Sequence, residues 1–261
     1  MFDYHLHSDV SFDGVGRAYD MAIAAKEAGL AEICFTDHCD YNSDKKSEHF
    51  PLDLNKYSAA YDGLEIKGLK IKKGVEFGMT DWNRAELSKL LSKRGFDFVI
   101  GSVHFVDGFD PYGIDYWAGK TEKEAYGRYL EEILRLVKIH SNFDVLGHLT
   151  YVSRSIYNPT KNLLRYSDYR ELTDEIFSAL VKKDKGIEIN TSGVNLLGEF
   201  IPSYDFVKRF KELGGKIITV GSDAHAPERV GQHTDKAMEI AKEIFGYVCT
   251  FEKRVPVFNK L

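Results

Sequence analysis

Seven short β-rich runs alternate with longer stretches of helical periodicity along this chain, and that alternation limits the possible folds more than any other feature. Parallel neighbouring strands cannot be joined by a tight turn; they need a crossover, usually a helix, so the pattern predicts an α/β fold with a parallel sheet. The predicted strands are Phe2–His5, Glu32–Thr36, Lys70–Phe77, Phe96–Ser102, Asp144–Gly147, Gly186–Asn190 and Lys216–Gly221, with Tyr247–Phe251 as a candidate late strand. Between the first two, Arg17–Ala28 places Ala18, Met21, Ala22, Ala25 and Ala28 at helical spacing, and Gly29 follows as a stop. Thr121 with Glu124, and Asp168 with Glu171, match the capping-box pattern and predict helices near 122–140 and 169–184. Ser203 is placed to cap another that ends near Gly214–Gly215. The segment Asp107–Lys120, rich in Gly, Asp and aromatics, reads as a long loop after the fourth strand, which in a barrel lies at the C-terminal face where active sites form.

At 261 residues the chain has the length of one barrel, and no repeat, low-complexity tract or Gly/Ser linker divides it, so a single domain over 1–261 is expected. The formal charge of −5 argues against a general nucleic-acid or membrane binder, because phosphate backbones and anionic lipids recruit clustered Lys and Arg. Cys34, Cys39 and Cys249 show no CxxC spacing and cannot all pair, which disfavours a disulfide framework or a thiolate zinc site. With no signal-like or membrane-spanning run, the expected location is the cytoplasm.

Chemistry is concentrated where strands end. The first ends in His5-Leu6-His7, the second in Thr36-Asp37-His38, the third near Glu76, the fourth in Ser102-Val103-His104, the fifth in Gly147-His148 and the seventh in Ser222-Asp223-Ala224-His225. Alternate strand positions point the same way, so HxH and DxH each present two donors together, as a metal requires. One histidine at a strand end is ordinarily a hydrogen-bonded core or surface residue; six on one rim point to ligation. Glu76 lies inside an otherwise apolar and basic strand, where a buried carboxylate needs a cation and can bridge two metals. Asp13, a turn residue before Gly14, falls on the same rim just after HxH. His49, His140 and His233 lie in a loop, at a helix end and in a loop before a helix, and read as structural, as does Cys39, which points away from its neighbour His38. Nitrogen and oxygen donors alone favour zinc, manganese or iron.

The ordered set HxH, Asp13-Gly14, FTDH, VEF, GSVH, GHL and GSDAH resembles the polymerase and histidinol phosphatase (PHP) superfamily over nearly the whole chain. Gly147-His148-Leu149 with Arg154, Glu188–Gly193 and Ser222–Glu228 are similar to its histidinol-phosphatase branch, which hydrolyses L-histidinol phosphate to L-histidinol and phosphate in histidine biosynthesis. The resemblance implies a distorted (β/α)7 TIM-like barrel holding three divalent transition-metal ions. It assigns one to His5, His7, Glu76 and Asp223, a second to Asp13, His38 and His225, and a third to Glu76, His104 and His148. It also makes Arg154 a phosphate ligand. An arginine that relatives often carry after the Asn-Thr-Ser-Gly segment is replaced here by Val194-Asn195.

The expected reaction is attack on phosphorus by a metal-bridging hydroxide, with Arg154 and the metals stabilising the equatorial oxygens and Asp223 or His225 managing protons. Asp107, Asp110 and Asp115, near Tyr112, Tyr116 and Trp117, are candidates for holding the ammonium and imidazole of the leaving group. The expected partner is a small phosphate monoester, not nucleic acid. Two alternatives remain: a PHP-type phosphoesterase of other specificity, whether for another monoester, a phosphodiester or nuclease-like, and a non-catalytic metal-binding module.

Overall fold

The computed structural model of the chain describes residues 1–42 and 49–261. Eight strands form one all-parallel sheet: β1 (Phe2–Leu6), β2 (Glu32–Phe35), β3 (His38–Cys39), β4 (Lys70–Gly78), β5 (Phe98–Ser102), β6 (Val145–Leu146), β7 (Gly186–Asn190) and β8 (Ile218–Gly221). The order is β1-β2-β4-β5-β6-β7-β8, with β3 paired to β4. Because β2 lies against Lys70–Lys73 and β3 against Glu76–Phe77, those two short strands occupy one lane, and the eight strands make seven staves. The first and last staves meet where Asp223 N donates to His5 O at 2.8 Å and His7 N to Ala224 O at 2.9 Å. Asp3 reinforces this seam by accepting from Ser222 N at 2.8 Å and Gly231 N at 2.9 Å. The expected distorted (β/α)7 barrel is therefore present.

The crossover and loop helices are α1 (Ala18–Glu27), α2 (Leu54–Tyr61), α3 (Arg84–Lys93), α4 (Ile114–Trp117), α5 (Glu122–Ile139), α6 (Arg170–Lys182), α7 (Val194–Leu197), α8 (Tyr204–Glu212) and α9 (Thr234–Phe245). The Thr121–Glu124 capping box forms as expected and starts α5, which buries Ala125, Tyr129, Ile133 and Leu136 along one face. Its end is held by Lys183, whose ammonium donates to the carbonyls of Val137, Lys138 and His140, each at 2.7 Å. The expected box at Asp168 is absent. Asp168 closes a short 3-10 turn and accepts from the Ser167 hydroxyl, and Tyr169 stands at the start of α6 without a side-chain cap. Ser203 does occupy the N-cap position of α8, but its side chain makes no capping bond. The Asp107–Lys120 loop contains the one-turn helix α4.

The late strand β9 (Tyr247–Glu252) exists and gains an antiparallel partner, β10 (Val255–Lys260). Cys249 and Phe251 of β9 pack with Tyr4, Cys34, Phe98, Ile100 and Val145, and so plug the N-terminal end of the barrel. The Phe98 and Phe251 rings lie 4.7 Å apart, and burying each such side chain contributes about 1.5–3 kcal/mol. All three cysteines are free and buried. Among the described residues, no helix is long and apolar enough to cross a membrane.

Candidate metal centre

The C-terminal end of the barrel carries the candidate ligands, and the parallel register explains why they meet. His38 of β3 lies directly beside Glu76 of β4, and Glu76 beside Ile100 of β5, four residues before His104. Each stave thus releases its chain at a similar height, and the first residues beyond it turn over the barrel mouth.

Glu76 is wholly buried and sits at the centre. Its Oε2 lies 3.2 Å from His5 Nε2, 3.5 Å from His7 Nε2 and 3.1 Å from His38 Nδ1. Its Oε1 lies 3.1 Å from His104 Nε2 and 2.7 Å from His148 Nε2, and receives the Ser102 hydroxyl at 2.6 Å. Asp223 Oδ1 completes the first side, 3.6 Å from His5 Nε2 and 3.4 Å from His7 Nε2. Asp13 Oδ2 lies 3.6 Å from His38 Nε2 and 3.3 Å from His225 Nε2. All nine residues singled out in the sequence therefore come together at one end of the barrel.

Several of these atoms lack the hydrogen-bond partner that burial ordinarily demands, and a shared cation would supply one. His5 Nε2, His7 Nε2, His38 Nδ1 and Glu76 Oε2 are buried yet make no hydrogen bond. Four ligands held about 2.0–2.1 Å from one ion at tetrahedral angles are about 3.3–3.4 Å from each other, which matches the contacts among His5, His7, Glu76 and Asp223. The donor set fits a transition metal, and His5, His7 and Asp223 form one compact trio, as do His5, Glu76 and His148, and His7, His38 and His225.

The electrostatics agree. Burial opposes the charge of Glu76, yet His5, His104 and His38 outweigh it and hold the carboxyl well below the usual range. Asp223, also opposed by burial, is held low by His5, His7, His225 and Arg154. The carboxylates in turn demand positive charge: despite burial, Glu76 and Asp40 push His38 up to about 9, and Glu188, Glu76 and Asp223 raise His5 well above its ordinary value. His7 goes the other way, lowered well below its ordinary value by burial and by His225 and His38.

Two carboxylates that the sequence analysis left unassigned support this cluster from behind. Glu188 of β7 accepts from His5 Nδ1 at 2.7 Å and from His148 N at 2.9 Å. Gly221 makes room for it: a Cβ there would lie 2.3 Å from Glu188 Oε1 and 2.3 Å from His5 Cβ. Asp40 accepts from His104 Nδ1 at 2.9 Å, lies 3.3 Å from His38 Nδ1, and forms a further candidate trio with both. The signal that selected Glu76, an acid in an apolar strand, applies equally to Glu188; Asp40 stands two residues after His38, on the same face by strand alternation.

A cavity of about 500 Å³ opens over the cluster, walled by Phe12, Phe50, Phe105, Asp110, Tyr112, Tyr151 and Arg154. Arg154 Nη1 donates to Asp223 Oδ2 at 3.1 Å, while its buried Nε makes no hydrogen bond. A second cavity of about 520 Å³ shares Arg154, Asp223 and His225, and adds Ser192, Asn195, Arg229 and Gln232. Asn195 is bound to Gln232 at 2.6 Å and to His233 at 2.9 Å.

Of the six residues proposed for the leaving group, only Asp110 and Tyr112 line the cavity. Asp107 turns outward to Arg128 at 2.6 Å, and Asp115 is exposed. Tyr116 and Trp117 are buried and donate to the carbonyls of Ala125 and Pro111. Phe12, Phe50 and Tyr151 were missed because their approach depends on loops that no periodicity describes. The three histidines set aside do lie elsewhere: His140 is bound to Thr80 O, His49 to Asn42 O and His233 to Asn195.

The family profile of the PHP domain matches residues 3–192. A histidinol-phosphatase of Lactococcus lactis subsp. lactis is 34% identical over 255 residues, covering 95% of this chain and 93% of its own. A Clostridium acetobutylicum protein named a probable histidinol-phosphatase is 31% identical over 259 residues, covering 98% of each chain. Among solved structures, that of histidinol phosphate phosphatase from Lactococcus lactis, in complex with zinc, L-histidinol and phosphate, superposes with a TM-score of 0.88 at 32% identity, covering 98% of each chain.

Proposed function

We propose, from the premise that this chain belongs to the PHP domain family, that residues 1–261 form one metal-dependent phosphomonoesterase domain, which hydrolyses L-histidinol phosphate to L-histidinol and phosphate. The observation that carries this conclusion is Glu76, whose two oxygens face separate sets of imidazoles, two of which, His104 and His148, line a cavity with Arg154 on its wall.

His5, His7, Glu76 and Asp223 would hold one divalent transition-metal ion, Asp13, His38 and His225 a second, and Glu76, His104 and His148 a third. Zinc, manganese or iron there would supply Lewis-acid charge for the phosphoryl oxygens and a lowered pKa for coordinated water.

The protein's own groups do the rest. With Nη1 held by Asp223, the Arg154 guanidinium on the cavity wall would offer its remaining donors to phosphoryl oxygens, which a guanidinium fork suits. Asp223 and His225 both line the cavity, and one of them would take the proton leaving the attacking water. His225 donates Nδ1–H to the Asp223 carbonyl at 2.9 Å, which points its Nε2 at Asp13 and the cluster. Asp110, anchored by Tyr112 N at 2.8 Å and the Tyr151 hydroxyl at 3.2 Å, offers a carboxylate to the cationic amino alcohol, and Phe12 and Phe50, stacked at 4.1 Å, offer a flat wall for its imidazole.

The test is phosphate release from L-histidinol phosphate beside other monoesters and a dinucleotide, on protein of measured metal content. A preference for histidinol phosphate is expected. Preferential cleavage of the dinucleotide would make this a phosphodiesterase, and no turnover of any ester by metal-loaded protein would make it a binding module.

A further inference from the structure

Asp37 stands next to His38 in sequence but faces away from the cluster, and its surroundings give it a task. It is wholly buried, and its Oδ1 receives Ser8 N at 2.8 Å, Ser11 N at 3.2 Å and the Ser11 hydroxyl at 3.0 Å. Its Oδ2 receives the Tyr61 hydroxyl from α2. An oxygen that already takes two backbone N–H groups carries no proton, so the Ser11 hydroxyl must donate to it.

That fixes the remaining valences of Ser11. A hydroxyl has one hydrogen and two lone pairs. One lone pair accepts the backbone N–H of His38 at 3.0 Å, and the other faces His7 Nδ1 at 3.2 Å. Since Ser11 has no second hydrogen to give, His7 must carry its own proton on Nδ1. In the neutral ring that a metal ligand must be, Nε2 is then the bare lone pair, aimed at Glu76 and Asp223. The same clamp shapes the turn that delivers Asp13, which is so tight that a Cβ at Gly14 would fall 1.9 Å from Ser8 O.

We propose that Asp37 is a positioning residue which, through Ser11, fixes the His7 tautomer and holds the Ser8–Gly14 turn, so that one buried carboxylate organises two of the three ligand groups. It touches neither His104 nor His148, whose group with Glu76 is oriented by Asp40 and Glu188 instead. The inference rests on the metal-binding function above.

Two measurements test it. Zinc-loaded wild type, Ser11→Ala and Asp37→Ala are titrated against a chromogenic zinc chelator, with thermal melts to show that each variant is folded. Loss of an orienting partner behind a ligand histidine costs about 10–100-fold in metal affinity. That loss is expected at the two groups containing His7, Asp13 and His38, with the Glu76, His104 and His148 group within about threefold of wild type. Equal weakening of all three groups, or zinc held as tightly by both variants as by wild type, would overturn the proposal.

Independently, long-range proton–nitrogen spectra of histidine-labelled wild type are expected to show His7 protonated on Nδ1. A proton on Nε2 would overturn the proposal even if no variant folded. Should wild type bind no zinc, the metal-binding function fails, and the tautomer still decides whether the relay exists.

Discussion

Replacing Arg154 would test phosphate recognition provided metal content is measured alongside, because its guanidinium lines the cavity and also donates to the candidate ligand Asp223. In Arg154→Met the wall keeps a long apolar stem over Tyr151, whose ring centre lies 5.6 Å from the guanidinium carbon, and loses the fork. With Nη1 held by Asp223, the guanidinium would offer its remaining donors on the cavity side to the phosphoryl group. Removing an equivalent donor from an oxyanion site costs about 2.7–4 kcal/mol, so kcat/KM should fall about 10²–10³-fold. Arg154→Lys, which keeps the charge and loses the fork, should lie between, roughly tenfold down. The assay is steady-state phosphate release at measured metal content, run in parallel with an aryl phosphate. Because Arg154 would read the phosphoryl group and not the leaving group, the loss should be the same factor on both substrates. Activity of Arg154→Met within threefold of wild type at full metal content would refute the assignment, and a loss confined to histidinol phosphate would move Arg154 to leaving-group recognition.

Three further outcomes follow from the structure. Asp110→Asn should raise KM for L-histidinol phosphate about tenfold, by weakening one charged contact of about 1.4 kcal/mol, and leave an aryl phosphate unaffected in the same phosphate-release assay. Stripping the protein with a chelator should lower its melting temperature: metal at about 100–1,000 times Kd contributes about 2.7–4.1 kcal/mol to the folded state, or roughly 5–16 °C for a domain of this size. Calorimetry with and without added zinc reads this directly, and an unchanged melt would mean that the donors hold no ion. Lys183→Met removes the ammonium that closes α5 on three carbonyls, and should cost about 1 kcal/mol in urea unfolding because the group is partly solvated, with turnover unchanged.

How much of this was visible in the sequence depended on what defines each residue's role. A ligand at a strand end is defined by its own stave, so HxH, DxH and an acid inside an apolar run announce themselves from local pattern. Asp40 and Glu188 obey the same rules but sit beside stronger signals. Ser11 and Asp37 do not obey them: a turn serine and an acid next to a histidine acquire meaning only when β1 and the residues after β2 are brought together by the barrel. Helices followed suit. The capping box at Thr121 formed because its two partners are three residues apart on one chain, whereas the same spacing at Asp168 lost to a local 3-10 turn that places Tyr169 first.

The one stave that brings no candidate ligand shows how the centre is organised. β7 ends in Asn190, and its acid, Glu188, lies one layer lower, level with Thr219 of β8. From there it does not line the cavity, but it reaches beneath two histidines on different staves, His5 and His148. A ring of seven staves that all delivered ligands at one height would crowd the mouth with uncompensated imidazole and carboxylate. Withholding one, and using its carboxylate as a strut, leaves space on that side for the second cavity, where Ser192 and Asn195 follow β7 directly. Placing bulk at Gly221 would press on Glu188 and on His5 together, so Gly221→Ala should weaken zinc at the His5 group about 10–100-fold, read by titration against a chromogenic chelator.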